Sequence, residues 1–281
     1  WVRARFAEAV DEMGRVVVGQ RTEMECLLAG LMAKGHVLLT GVPGLGRTVV
    51  AKALAQVLGL KYSRIQFTPD LMPSDVIGSE VLEGRDGGDR HFRFFKGPIF
   101  TNLLLADEIN RSPPRTQSAL LEAMSEKQVT TGGQTYPLPQ PFMVVATRNS
   151  METEGVWRMP EAQLDRFMVS IEMKYLDEDG DMDLLARTTG ILEPQARQVL
   201  GAQEILEIQR LAALVPVVPS MKRFALDIVR GTRPGEGATA EVAQLVRMGA
   251  SPRAAQAILR GSKVFALARG RSYVTREDIR S

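Results

Sequence analysis

The chain has 281 residues, of which 44% are apolar, and its formal net charge is +2. This length can bury one large core and a smaller one, whereas the balanced charge argues against nucleic-acid and membrane-surface partners. The single cysteine, Cys26, excludes an intramolecular disulfide and a cysteine-based metal cluster. Without a secretion signal or a bilayer-length apolar stretch, we expect a cytoplasmic protein with no nucleic-acid binding and no membrane insertion.

The N-terminal part of the sequence predicts helices followed by alternating strands and helices. Apolar residues recur at helical spacing over 2–14 and 20–34, with a loop or short extended segment at 16–20 between them. The apolar run 36–40 predicts a strand buried on both faces, and a helix follows from about 47 to 58. The alternation predicts a three-layer αβα domain with a parallel sheet over 1–176. Further strands are expected at 62–67, 102–106, 142–147 and 167–173.

Two segments interrupt the alternation and predict β-hairpins. The first lies near 79–95 and the second near 128–138, and each has glycines at its centre: Gly84, Gly87, Gly88, Gly132 and Gly133.

After residue 176 the strand signals end. The acidic stretch 177–181 has the composition of a linker, and beyond it the sequence predicts an all-helical domain over 177–281. The expected helices cover 183–189, 195–199, 203–214, 219–232, 239–247 and 252–269.

The octet 41–48 lies between the first predicted strand and a helix, as does a phosphate-binding loop G-x-x-x-x-G-K-[ST]. Its glycines let backbone N–H groups surround phosphate oxygens, and Thr48 could place its hydroxyl on Mg²⁺. Arg47 replaces the usual lysine; because guanidinium is planar and wider, we expect nucleotide binding with weakened hydrolysis. A glycine-rich turn without a ligand is the alternative. The residues expected to contact nucleotide here are Gly41, Pro43, Gly44, Leu45, Gly46, Arg47, Thr48 and Val49.

A second motif strengthens this hypothesis. The apolar run 102–106 is followed by Asp107 and Glu108, so two carboxylates stand at the end of a predicted strand. A P-loop ATPase needs one carboxylate to hold the Mg²⁺ shell and another to orient the attacking water. We assign the metal role to Asp107 and the base role to Glu108, with a solvated acidic turn as the alternative.

Two longer strings carry a resemblance to a known family: residues 105–124, LADEINRSPPRTQSALLEAM, and residues 160–167, PEAQLDRF. Over nearly its whole length the chain resembles the MoxR family of AAA+ ATPases. The resemblance implies a P-loop AAA+ domain, a C-terminal helical lid and a ring of copies, which we expect to be a hexamer. It also implies use of ATP/ADP and Mg²⁺, with nucleotide between the two domains. The two hairpins match the helix-2 insert and the pre-sensor-1 insert of this clade, with surface loops of no special role as the alternative.

The same resemblance implies roles for further residues. Asn149 resembles sensor 1, Arg166 the arginine finger that reaches the neighbouring subunit, and Arg253 sensor 2 of the lid. Each has a simpler alternative, because Asn149 could cap a loop, Arg166 could form a local ion pair and Arg253 could be a solvated residue of a helix start. The residues that look like the segment lining the adenine pocket are Val18, Gly19 and Gln20.

The resemblance also implies a function. The family suggests hydrolysis of ATP to drive chaperone-like assembly or maturation of protein complexes, often with a partner that carries a von Willebrand factor A domain. A nucleotide-gated scaffold that hydrolyses ATP weakly is the alternative, because Arg47 replaces lysine. A DNA-acting AAA+ protein is disfavoured by the near-neutral charge and the lack of an appended DNA-binding motif.

Overall fold

The computed structural model describes residues 1–42, 44–83, 91–149, 155–189, 194–235 and 238–281. A five-stranded parallel sheet forms the centre, in the order β2-β5-β8-β1-β9. All five strands were predicted, and their ends agree with the prediction to within two residues. Their bounds are β1 Val37–Gly41, β2 Tyr62–Gln66, β5 Leu103–Asp107, β8 Met143–Asn149 and β9 Val169–Glu172.

Helices cover both faces of this sheet. Strand β5 is buried along its whole length, as expected for a strand between two helical layers. Because side chains alternate across a strand, Leu103 and Leu105 join one apolar cluster, whereas Leu104 and Ala106 join another. The predicted three-layer αβα architecture is therefore confirmed. The helices of this part are α1 Val2–Met13, α2 Arg21–Met32, α3 Arg47–Val57, α4 Pro73–Ile77, α5 Pro114–Glu126 and α6 Glu161–Leu164.

Both hairpins form. Strands β3 (Gly78–Glu83) and β4 (His91–Lys96) pair antiparallel, as do β6 (Gln128–Thr131) and β7 (Gln134–Pro137). The two hairpins touch, because the Phe94 and Tyr136 rings lie with their centroids 4.6 Å apart. Gly132 and Gly133 adopt the positive φ angles that the second turn needs. The three glycines expected in the first turn, Gly84, Gly87 and Gly88, lie outside the described residues.

Among the described residues after 176, helices are the only regular secondary structure, as predicted. Two details of the prediction need correction. The stretch 177–181 is not a linker: Asp177 caps α7 by accepting the Gly180 N–H at 2.9 Å, and acidic residues favour a helix N-terminus. Residues 195–199 are not helical, because the N–H groups of Val199, at the end of this range, and of Leu200 donate to the Val57 carbonyl. The helices are α7 Glu178–Thr188, α8 Ala202–Leu214, α9 Pro219–Gly231, α10 Ala240–Leu245, α11 Pro252–Ala268 and α12 Arg276–Arg280.

The C-terminal helices pack in two ways. Helix α8 lies against α2, and its Ile205 and Ile208 belong to the apolar cluster of α1, α2 and α3. Helices α9, α11 and α12 enclose a smaller cluster around Ala225 and Ala266. Within the described part of the chain, no helix is long and apolar enough to span a membrane.

Candidate functional site

The candidate residues of the sheet meet at one edge. Strands β1, β5 and β8 are parallel, so their carboxyl ends lie side by side. Gly41 at the end of β1 pairs with Asn149 at the end of β8, and Asp107 ends β5. Asn149 is buried at this edge. The structure thus brings together the glycine-rich loop, the acidic pair and the predicted sensor amide.

The glycine-rich loop has the geometry of an anion cradle. Gly41 has φ 131°, and a Cβ there would approach the Met173 carbonyl oxygen to 2.6 Å. Gly44 and Gly46 have φ 87° and 74°, and the space around the Cβ they lack is open to at least 4 Å. Gly46 caps the N-terminus of α3, whose free N–H groups attract negative charge. The loop can therefore receive a phosphate; Pro43 lies outside the described residues.

Arg47 is hydrogen-bonded to the protein backbone. Its side chain is buried, and its Nη1 donates to the Arg148 carbonyl at 2.9 Å and to the Gly41 carbonyl at 3.5 Å. The guanidinium therefore ties the loop to β8. It would have to rotate to reach a phosphate held by the glycines.

The acidic pair is held by one threonine. The Thr147 hydroxyl donates to Asp107 Oδ1 at 2.6 Å and accepts the Glu108 N–H at 2.8 Å. Glu108 has φ 57°, an uncommon angle for a non-glycine residue that the Thr147 contact holds in place. Thr147 thus fixes the Glu108 backbone and the Asp107 side chain at the end of β5. The sequence analysis did not assign this role.

Three further residues, to which the sequence analysis assigned no role, contact the acidic pair. Arg64 donates to Asp107 Oδ2 through Nε at 3.1 Å and Nη2 at 2.6 Å, and Gln66 Nε2 donates to Glu108 Oε2 at 2.8 Å. Glu108 also pairs with Arg111 at 3.2 Å. The two-residue spacing of Arg64 and Gln66 puts them on one face of a strand. Only the strand order shows that β2 lies beside β5.

The oxygen donors at this edge fit Mg²⁺. The ion prefers hard oxygen ligands, keeps several waters and is held in proteins by one or two carboxylates together with phosphates. Asp107 and the Thr48 hydroxyl are donors of this kind. No group of three or more His, Cys, Asp or Glu residues that could cage a metal occurs among the described residues. The donor set therefore suits an ion shared with a bound phosphate.

The predicted adenine segment lies beside the loop. Gln20 Nε2 donates to the Leu45 carbonyl at 3.3 Å. A Cβ on Gly19 would lie 2.7 Å from the Leu176 side chain, so this glycine permits close packing of the segment. A cavity of about 420 Å³ joins this segment, the start of α3 and α7; its lining includes Val18, Thr48, Val49, Lys52, Leu184, Arg187 and Thr188.

Arg166 and Arg253 line a different cavity, of about 440 Å³. Arg166 Nη1 donates to the Leu121 carbonyl at 2.9 Å and also to the Ser125 hydroxyl. Arg253 pairs with Asp165 at 3.5 Å. The cavity adjoins Gly35 and His36, which precede β1, whereas the glycine-rich loop follows β1. The structure therefore does not bring these two arginines to the glycine-rich loop of the same chain.

This second cavity is strongly basic. Lys34, Lys127 and Arg260 also line it. Burial lowers the pKa of Lys127, and the nearby charges of Lys34 and Arg260 lower it further. Asp165 is the one acidic residue among the described lining residues. An anion would offset this concentration of positive charge.

Comparisons with known proteins agree with the fold. Residues 36–169 match the "ATPase family associated with various cellular activities (AAA)", and residues 238–281 match an "AAA lid domain". A solved structure from Cytophaga hutchinsonii, assigned as an ATPase, superposes with a TM-score of 0.89 at 43% identity, covering 99% of this chain and 84% of that one. The parallel sheet with its glycine-rich loop and helical lid is thus that of an AAA-type ATPase.

Individual relatives show which family of AAA-type ATPases the chain is similar to. Chaperone MoxR1 of Mycobacterium tuberculosis is 43% identical over 96% of this chain and 71% of its own length. YeaC of Bacillus subtilis is 41% identical over 98% of this chain and 82% of its length, and Protein MoxR of Paracoccus denitrificans is 30% identical over 99% and 86%. The chain belongs to the MoxR family of AAA+ ATPases.

Proposed function

We propose that this chain binds ATP with Mg²⁺ and hydrolyses it to ADP and phosphate. The supporting observation is the meeting of the glycine-rich loop, Asp107, Glu108 and Asn149 at one sheet edge. The loop amides and the Thr48 hydroxyl would bind the phosphates. Thr48 and Asp107 would hold the metal, which offsets the negative charge of the phosphates when it is bound. Glu108 takes the proton of the attacking water, and Asn149 positions that water.

Glu108 must first change its hydrogen bonds. In the structure its carboxylate accepts from Gln66 and pairs with Arg111. Both contacts are made by the same carboxylate oxygen, Oε2. We propose that Glu108 leaves at least one of these partners when it turns toward the attacking water.

We further propose that Arg166 and Arg253 act together on the nucleotide of a neighbouring copy. Both line the basic cavity at the start of β1, and the loop lies beyond the end of this strand. Five residues of strand span roughly 13 Å, so neither arginine can reach its own chain's phosphates without a large movement. A second copy can supply a nucleotide to the cavity, and the arginines then stabilise the charge that develops on its phosphates.

A subunit-mixing experiment tests this arrangement. We expect Glu108→Gln and Arg166→Ala each to lower steady-state phosphate release by about a hundredfold or more. Mixing the two inactive variants creates interfaces that pair an intact Glu108 with an intact Arg166, so activity should partly return. An Arg166→Ala, Glu108→Gln double variant mixed with Glu108→Gln is the control, since it forms no complete interface. Failure of the first mixture to exceed this control would contradict action between copies.

The scaffold alternative rests on Arg47. Its guanidinium is engaged with two backbone carbonyls, so a copy that binds nucleotide and hydrolyses it slowly would hold the ring in one state. Phosphate release by the native chain no faster than by Glu108→Gln would favour this scaffold.

The physiological role follows from the relatives. Because the Mycobacterium tuberculosis relative is a chaperone by name, we propose that ring movement assembles or matures protein complexes. A partner with a von Willebrand factor A domain and a cytoplasmic location remain parts of this proposal that rest on the family resemblance.

A further inference from the structure

Arg64 holds one oxygen of the carboxylate proposed as a metal ligand. Asp107 Oδ1 accepts the Thr147 hydroxyl at 2.6 Å, and Oδ2 accepts no hydrogen bond from Thr147. Arg64 donates to that oxygen through two nitrogens, at 3.1 and 2.6 Å. A guanidinium and Mg²⁺ both seek the same oxygen, and electrostatic repulsion disfavours their binding together.

The ion pair between Arg64 and Asp107 can open at little cost. The Asp107 side chain is 13% exposed, but that of Arg64 is 47% exposed. An arginine in contact with water gains little from a single ion pair and regains hydration when it leaves. A divalent cation at Asp107 can therefore displace it, whereas a fully buried arginine would resist.

Arg64 is also linked to the proposed base. Its Nη2 donates to Gln66 Oε1 at 2.8 Å, and the Gln66 amide donates to Glu108 Oε2 at 2.8 Å. The Gln66 carboxamide is thereby oriented with its nitrogen toward Glu108. Loss of the Arg64 contact removes the donor that fixes this orientation.

We propose that Arg64 is a positioning residue that competes with a divalent cation for Asp107, and that cation binding at Asp107 releases Arg64 from the carboxylate. The inference rests on the proposed function, since it takes Asp107 as a metal ligand.

The Mg²⁺ dependence of nucleotide binding tests this role. Binding of a fluorescent ATP analogue to the full chain is measured across a Mg²⁺ titration and in EDTA. Because Arg64→Met removes the competitor, we expect the half-saturating Mg²⁺ concentration to fall about two- to fivefold. Affinity in EDTA should be unchanged, since the analogue's phosphates bind the loop. Arg64→Lys keeps a cation but loses the two-pronged contact, so an intermediate shift is expected.

Arg210→Met is the matched control, because Arg210 forms an exposed ion pair with Glu207 on α8, away from the site. It should leave the Mg²⁺ midpoint unchanged. An Arg64→Met midpoint equal to that of the native chain, or higher, would overturn the role of Arg64 alone. A native chain that binds no analogue at any Mg²⁺ concentration would overturn the proposed function as well.

Discussion

At the scale of single residues, Arg47 is the position at which we expect a substitution to raise the rate of hydrolysis. A lysine at this position carries a compact charge on a flexible stem, whereas guanidinium is wider and favours two-pronged contacts. Arg47 uses its donors on the Arg148 and Gly41 carbonyls. Reaching a phosphate therefore means giving up contacts that hold the loop against β8.

We expect Arg47→Lys to raise steady-state phosphate release by about tenfold, equivalent to about 1.4 kcal/mol of transition-state stabilisation. The shorter cation leaves the two carbonyls more easily and fits between the terminal phosphates. Lys222→Arg, at an exposed position of α9, is a control for general effects of exchanging the two residue types. A rate for Arg47→Lys at or below the native rate would show that guanidinium serves the phosphates as well as lysine does.

At the scale of elements, the C-terminal helices depend on a buried carboxylate. Asp278 of α12 accepts from the Thr275 N–H and from Arg269 Nη1, each at 2.9 Å, and from Arg271. Burial raises its pKa, but these hydrogen bonds outweigh burial and hold the pKa below its ordinary value. The carboxylate joins α11 to α12 across the turn between them.

This arrangement predicts acid sensitivity of the lid helices. A carboxylate with a lowered folded-state pKa stabilises the fold fully above its unfolded pKa of about 4 and loses that effect as the pH falls further. We expect Asp278→Asn to lower the free energy of unfolding by about 3 kcal/mol at pH 7. The difference from the native chain should shrink as the pH falls below about 4.

Urea unfolding followed at several pH values measures this difference. Asp11→Asn is the control, because Asp11 forms an exposed pair with Arg21 and should matter by less than about 1 kcal/mol. A difference between Asp278→Asn and the native chain that stays constant down to pH 3 would argue against a charge effect.

At the scale of the whole molecule, each chain carries two separate halves of the proposed catalytic site. The glycine-rich loop and acidic pair lie at the carboxyl edge of the sheet, and the cavity with Arg166 and Arg253 lies at the start of β1. In the proposed arrangement, the two halves meet when one copy faces the next. A head-to-tail contact of this kind forms a ring if the rotation between copies closes.

We therefore expect ATP to promote assembly. Light scattering at high protein concentration should show a hexamer with ATP and Mg²⁺ and smaller species without nucleotide. Lys127→Met, which removes a cavity cation, should raise the concentration needed for assembly, because the cavity then attracts the neighbour's phosphates less strongly. A monomer that persists at high concentration with ATP would contradict the ring.

The local sequence was sufficient to predict much of the fold and part of the site. A run such as Leu103–Asp107 needs burial on both faces wherever it lies, so its apolar composition indicates a parallel strand without knowledge of its neighbours. The loop was predictable for a similar reason, since the positive φ angles of Gly44 and Gly46 suit glycine. Asp107 and Glu108 were proposed as site residues because they stand at the end of a predicted strand.

Other features depend on contacts between distant residues. Arg64 reaches Asp107 only because β2 lies next to β5, an order that the alternation of elements does not specify. Residues 195–199 have helical spacing. The hydrogen bonds of Val199 and Leu200 to the end of α3 nevertheless prevail over this local preference. Short-range periodicity determined which segments form strands and most of the helices. Tertiary packing alone decided that Arg166 and Arg253 share a cavity at the far end of β1, because side chains remote in sequence meet only after the layers have packed.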